Sequence, residues 1–481
     1  MTAACKVWRS NVITVSHGCH ARSLGCPVGS NRLEPPVPRL SRFPLRFARL
    51  LPLASLVALA VLSPASRSAP ATSVAAAPAS VPRPFYETPY ERKPDFRTLV
   101  TLGRSLFSDR TLSASGRVSC ASCHDPAHAY GPPNRLPVQL GGPALNLPGV
   151  RAVPSLTYHQ AIPNFQEHFF DNDGNDSEDQ GPTGGLDWDG RADSGHEQAA
   201  GPLLSPFEMA NADMSSVVAR LKASPDAAAM RAAFGAHVFD DPKLAWNGLL
   251  LALEVFQQSP ADFYPYSSKY DAYLRGQVKL SAQEMRGLDV FGGKARGNCA
   301  ACHVSVIKRG AFPQFTDFGL IAIGVPRNRA IPANAKAGFR DLGACGPLRT
   351  DLQAHGDDCG LFRTPSLRNV ATRGVFFHNG VYTKLEDAVR FYALRDSDPK
   401  RIYGKGRQFD DLPKKYQDNL NQETPFGAKP GDKPTMSEAE IADVVAFLKT
   451  LTDGYVVSRA DASAAAKRKQ FPQRKSDAPA R

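Results

Sequence analysis

The chain has 481 residues, 42% hydrophobic and 22% charged, which excludes a fibrous or wholly disordered polymer and leaves room for two or more domains with their own cores. Its formal charge of +12 is concentrated at the ends, with nine Lys or Arg against one acid in residues 1–69 and six against two in residues 461–481, so the region between is neutral. No basic groove follows, and nucleic-acid binding loses its main support.

Arg39, Arg42, Arg46 and Arg49 lead into the apolar run Leu50 to Leu62 and then into small residues, Ser63 to Ala71. This is the order of a secretory signal, and the run is too short to span a bilayer comfortably, so an export signal to the periplasm is preferred to a retained membrane anchor. The residues before Arg39 fit neither reading and are taken as an upstream extension; Cys5, Cys19 and Cys26 there receive no role. Residues 1–69 are thus signal plus extension, and 70–83, rich in Ala, Pro and Ser, a linker.

Thr98 to Ser108 has helical apolar spacing and delivers the chain to Cys120-Ala-Ser-Cys-His124. Two thiols two residues apart, followed at once by an imidazole, form the spacing that captures haem vinyl groups as thioethers while the histidine takes the iron. The pattern returns at Cys299-Ala-Ala-Cys302-His303. Zinc is the alternative, but it would require both pairs to converge on one ion or further ligands near each. Two covalently bound c-type haems are therefore expected, and their attachment outside the cytoplasm agrees with export.

Asp125 to Val150 is dense in Gly and Pro and reads as loop over the first haem. The acidic run Asp171 to Asp179 does not match a calcium loop and reads as a solvated loop. Trp188-Asp-Gly-Arg191 is a turn, followed by a short helical stretch through Gln198, while Leu244 to Phe256 predicts a buried helix. Ser281 and Glu284 form a capping box for a helix toward the second haem motif, and Ser437 and Glu440 cap the last one; Lys384 to Tyr392 is a further helix. Cys345 and Cys359, in a Gly- and Asp-rich loop, fit either a disulfide or two buried thiols. The fold class is mainly α, with two cytochrome c-like haem domains and long irregular loops. The domains span 84–275 and 276–460, followed by a disordered basic tail, 461–481.

Phe362-Arg-Thr-Pro-Ser-Leu-Arg-Asn-Val370, Phe377-His-Asn-Gly380 and Arg390-Phe-Tyr392 resemble the second half of the bacterial dihaem cytochrome c peroxidase family, which includes the MauG-type enzymes. Trp188-Asp-Gly-Arg191, Gln198 and Pro206-Phe-Glu-Met209 resemble its first half. The resemblance implies that the His124 haem meets hydrogen peroxide and the His303 haem passes electrons to it. It makes Glu208 the distal carboxylate, able to take a proton from one peroxide oxygen and give it to the other. Gln198 becomes a hydrogen-bonding neighbour, and Trp188 an oxidisable stepping stone between the haems. By residue type alone these would be a helix-start charge, a surface glutamine and a core aromatic.

The resemblance also addresses the sixth ligands. The family's peroxidases usually place Met where this chain has Tyr392, as MauG-type enzymes do; a phenolate favours the ferric state, whereas a thioether raises the potential. Met436 is the alternative ligand. No histidine stands near Leu140-Gly-Gly142, where peroxidases requiring reductive activation carry one, so the first haem is expected to have an open position. His128 is too close to the motif to reach over the ring, while His159 and His168 lie on an inserted loop that could reach in. Ala152, Arg373 and Val375 replace the usual Asn, Thr and Pro of an interdomain calcium site, which is expected to be weak. The expected activity is reduction of peroxide at the expense of a small periplasmic cytochrome c or copper protein. The alternatives are MauG-like oxidation of a specific partner protein and a dihaem electron carrier without catalysis.

Overall fold

Asp95 begins the first helix by accepting a hydrogen bond from Thr98 N at 2.7 Å, which satisfies one of the free N–H groups of the first turn. The computed structural model describes residues 84–170, 179–308, 310–461 and 463. The export signal, the linker, most of the acidic run and nearly all of the basic tail lie outside the described residues.

In chain order the α-helices among the described residues are α1 (Phe96–Ser108), α2 (Cys120–Cys123), α3 (Gly195–Leu204), α4 (Met214–Ala223), α5 (Ala227–Phe234), α6 (Pro242–Gln257), α7 (Pro260–Phe263), α8 (Lys269–Leu274), α9 (Ala282–Gly292), α10 (Leu385–Leu394), α11 (Pro399–Tyr403) and α12 (Glu438–Lys449). The chain is mainly helical, as its patterning predicts. Ser281 with Glu284 and Ser437 with Glu440 both form the expected reciprocal caps. α4 and α5 have no counterpart in the sequence reading: α5 is mostly alanine, which is apolar on every face, whereas α4 is a short segment that buries Val217, Val218 and Leu221. α3 continues past Gln198 to Leu204 although Pro202 lies inside it and has no N–H for the carbonyl of Gln198.

Two antiparallel pairs of very short strands interrupt the loops: β1 (Leu140–Gly141) with β2 (Leu147–Pro148), and β3 (Leu320–Ile321) with β4 (Phe362–Arg363). Most of the expected loop after the first motif is irregular, but β1 and β2 fold it into a hairpin.

Two helix crossings organise the cores. α1 packs on α6, and α9 packs on α12. Each contains a glycine at closest approach: a Cβ on Gly103 would stand 2.0 Å from Ala252 O, and one on Gly287 2.0 Å from Asp443 O. Only glycine lets the backbones meet so closely. One buried cluster collects residues from Leu99 to Phe263 around the first crossing, and another collects residues from Tyr270 to Leu451 around the second. Burial of these aliphatic and aromatic side chains contributes about 1.5–3 kcal/mol each.

Cys345 and Cys359 are disulfide-bonded, with Cα atoms 4.9 Å apart, which settles the choice between a bridge and free thiols. The bridge closes a separation of 14 residues beside a small cluster of Leu320, Ala344, Leu352, Leu361 and Leu412. Replacing both cysteines by serine should cost about 3 kcal/mol by loop entropy. The denaturant midpoint of the holoprotein falls by the corresponding amount; an unchanged midpoint would show that the loop is held without the bridge.

Candidate active site

α2 presents Cys120 and Cys123 to a cavity, and His124 follows at its end. His124 Nδ1 lies 3.0 Å from Tyr130 O. A backbone carbonyl on one ring nitrogen fixes the ring and its tautomer and leaves the other nitrogen as the metal donor, the arrangement found behind most iron-ligating histidines. The second motif repeats this, with His303 Nδ1 2.9 Å from Phe315 O beside a second cavity bordered by Cys299 and Cys302. Burial lowers both imidazoles to about 4, so both rings are neutral donors at pH 7.

The first cavity also receives Glu208, from the turn after α3. Glu208 N donates to Ser205 O at 3.0 Å, and Gly142 N donates to Glu208 O at 2.9 Å. The glycines that stand where a distal histidine was sought therefore back directly onto the carboxylate's own main chain. Glu208 has accessible surface, but that surface faces the cavity. Burial raises its pKa, ahead of Ser205, which lowers it, and Asp187, which raises it further. Ser205 Oγ, on the same cavity, is buried without a hydrogen-bond partner.

Gln198 Nε2 reaches Asp187 Oδ1 at 3.3 Å. Asp187 in turn meets Arg191 at 3.0 Å, and burial raises its pKa. Asp187 and Arg191, both on this cavity, have no role in the sequence reading; Arg191 ends the Trp188-Asp-Gly-Arg191 turn and Asp187 precedes it.

The second cavity brings together both candidate sixth ligands, Tyr392 and Met436. Tyr392 extends from α10 and stacks on Phe426 with ring centroids 5.6 Å apart. Burial, then the neighbouring Cys299 and Cys302, raise its phenol pKa far above the ordinary value, so a phenolate there requires a nearby cation such as iron. Met436 is almost fully buried in the core packed on α12.

Trp188 borders both cavities. Its Nε1 donates to Ala152 O at 2.8 Å, and its carbonyl accepts from Arg363 N at 2.8 Å. His159 is buried and borders the second cavity, not the first. His168 is exposed and pairs with Asp179 at 2.6 Å, and His128 pairs with Asp125 at 2.6 Å. None of the three borders the first cavity. The Arg373 guanidinium donates to Val375 O at 3.2 Å and Val153 O at 3.0 Å.

The four motif thiols are free, and the two pairs border separate cavities, so they do not converge on one zinc ion. Among the described residues the one group of His, Cys, Asp and Glu within shared ligating reach is Glu167, His355 and Asp358, and it includes no motif residue. Two thiols, a carbonyl-anchored imidazole and an adjoining cavity, twice over, fit a covalently held haem at each site.

Comparison with known proteins agrees. The sequence profile described as Di-haem cytochrome c peroxidase matches residues 97–279. The methylamine utilization protein MauG of Paracoccus denitrificans is 34% identical over 397 residues, covering 78% of this chain and 94% of that protein. The cytochrome c551 peroxidase of Pseudomonas aeruginosa is 29% identical, with 72% and 85% covered. The solved structure of the dihaem peroxidase BthA from Burkholderia thailandensis superposes with a TM-score of 0.68 at 39% identity, covering 77% of this chain and 90% of that one, and a variant of it with one tyrosine replaced by methionine superposes equally well. By sequence, by fold and by its two motifs, the chain belongs to the dihaem cytochrome c peroxidase family, MauG included, whose members are oxidoreductases acting on peroxide.

Proposed function

We propose an exported, two-domain enzyme, 84–275 and 276–460, that reduces hydrogen peroxide to water at the His124 site and draws the electrons through the His303 site. Bound at each motif, a c-type haem would supply the iron redox chemistry. Cys120 and Cys123 would hold the first haem and Cys299 and Cys302 the second, with His124 and His303 as proximal ligands and Tyr392 as the sixth ligand of the second. The Glu208 carboxylate takes a proton from the near oxygen of peroxide and delivers it to the departing one, which leaves as water. Asp187, held by Arg191, orients Gln198, whose amide can hydrogen-bond in the same pocket.

The observation that carries the reading is the position of Trp188 on both cavities. An aromatic ring there divides one long electron transfer into two shorter ones. Peroxide reduction consumes two electrons and two protons per molecule, so a one-electron donor such as a small cytochrome c or copper protein is used twice. Tyr392 favours a second reading, MauG-like oxidation of a protein side chain, because an anionic oxygen ligand stabilises oxidised iron. Among the described residues no helix is long and apolar enough to cross a membrane.

One equivalent of hydrogen peroxide added to the ferric protein should alter the spectra of both haems in the wild type. In Trp188→Phe the His124 haem responds as before and the response of the His303 haem is delayed. A ferric spectrum indifferent to peroxide would instead identify an electron carrier.

A further inference from the structure

Buried arginines in this chain nearly always face an aspartate. Arg151 meets Asp189 and Asp341 at 2.7 Å, Arg368 meets Asp271 at 2.9 Å, Arg395 meets Asp396 at 2.6 Å, and Arg327 pairs with Asp411. Arg363, which is buried, and Arg373, which is half-buried, differ. Among the described residues neither forms an ion pair, although burial lowers both to about 10. Arg363 gives Nε to Asp187 O at 3.1 Å, and Arg373 gives Nε and Nη2 to the two carbonyls described above. Both Nη groups of Arg363 and Nη1 of Arg373 remain uncommitted, and both side chains border the Cys299–His303 cavity. A buried guanidinium without an anion is costly; Arg363 in that state, with the half-buried Arg373 on the same cavity, points to an anionic occupant.

The first cavity lacks this excess. Its Arg151 and Arg191 are already matched by Asp189, Asp341 and Asp187. The unmatched charge therefore belongs to the His303 side. A haem has two propionate carboxylates, and guanidinium forks fit carboxylates with paired hydrogen bonds.

We propose that Arg363 and Arg373 are positioning residues that neutralise the propionates of the haem at His303 and thereby raise its reduction potential. The inference rests on the dihaem reading. A positive charge near the iron disfavours the ferric form, so removing one stabilises it. With one unit charge roughly 10 Å away at an effective dielectric constant of about 20, the equilibrium constant for reduction changes about tenfold or somewhat more, and tenfold corresponds to about 59 mV for one electron.

The test is a spectroscopic redox titration of the holoprotein and its Arg363→Gln, Arg373→Gln and Arg363→Lys variants, after mass measurement of attached haem. The expected result is two haems in every form, a fall of about 59 mV or more in the His303 haem in each glutamine variant, a smaller fall in Arg363→Lys, and a smaller change in the His124 haem, whose ligand feels the Arg373 charge. Two haems with unchanged potentials would overturn this inference alone, leaving the arginines as braces for the main-chain carbonyls. Absence of a second haem would overturn the dihaem reading with it. Resonance Raman propionate bending modes of the wild type give an answer even if a variant does not fold: bands typical of carboxylates in water contradict the proposal.

Discussion

Replacing Glu208 by glutamine is expected to lower peroxide turnover about 10²–10⁴-fold, the usual contribution of a positioned acid–base group. Glutamine keeps the size and one oxygen of the carboxylate but can neither accept nor return a proton at neutral pH. Binding of peroxide should survive, so the loss appears in the rate of its reaction and not in haem content or in the ferric spectrum. The pH profile gives a second check. Burial raises the Glu208 pKa, and only the ionised form can accept the first proton. The wild-type rate should therefore fall on the acid side starting above the ordinary glutamate range, and Glu208→Gln should lose that limb. If Glu208→Gln reacts as fast as wild type, the proton is handled elsewhere, and Asp187 becomes the next candidate.

Tyr392→Met should raise the potential of the haem at His303 by an amount on the order of hundreds of millivolts, within the range of about 0.8 V that axial ligands span. The direction follows from ligand chemistry. A phenolate donates charge and stabilises ferric iron, while a neutral thioether favours the ferrous state. Methionine is also unbranched and flexible enough to occupy the space between Phe377 and Phe426 that the phenol ring now fills. Tyr392→Phe separates the two effects, because it retains the packing and removes the donor. If neither substitution moves the potential, Tyr392 is a core aromatic and Met436, on the same cavity, is the ligand to test.

The legible parts of this molecule were those written in local sequence. The haem motifs and the paired capping boxes each depend on residues within a few positions of one another, and the structure reproduces them. The bridge between Cys345 and Cys359 was visible as one of two outcomes. Glu208, Gln198 and Trp188 needed the family resemblance, because by type they are ordinary residues and their proximity to one cavity arises only when α3 and the hairpin of β1 and β2 meet. Asp187 and the unmatched Arg363 and Arg373 were not legible: an arginine is notable only when the aspartate it lacks can be seen to be missing. α5 was missed for the opposite reason, since alanine marks no face, whereas the face of Val217, Val218 and Leu221 on α4 was legible.

The bridge between Cys345 and Cys359 implies an order of assembly. In the oxidising compartment that the proposed export reaches, these two sulfurs lose electrons, while Cys120, Cys123, Cys299 and Cys302 must stay reduced until they are joined to haem. In the folded chain, burial drives the thiol pKa of Cys120 and Cys299 to about 12 and that of Cys123 to about 11, leaving almost no thiolate to react. We propose that attachment takes place on the open chain, before this burial. Collapse of the helices then seals the thioethers, and the crosslink can close last without competing sulfurs nearby.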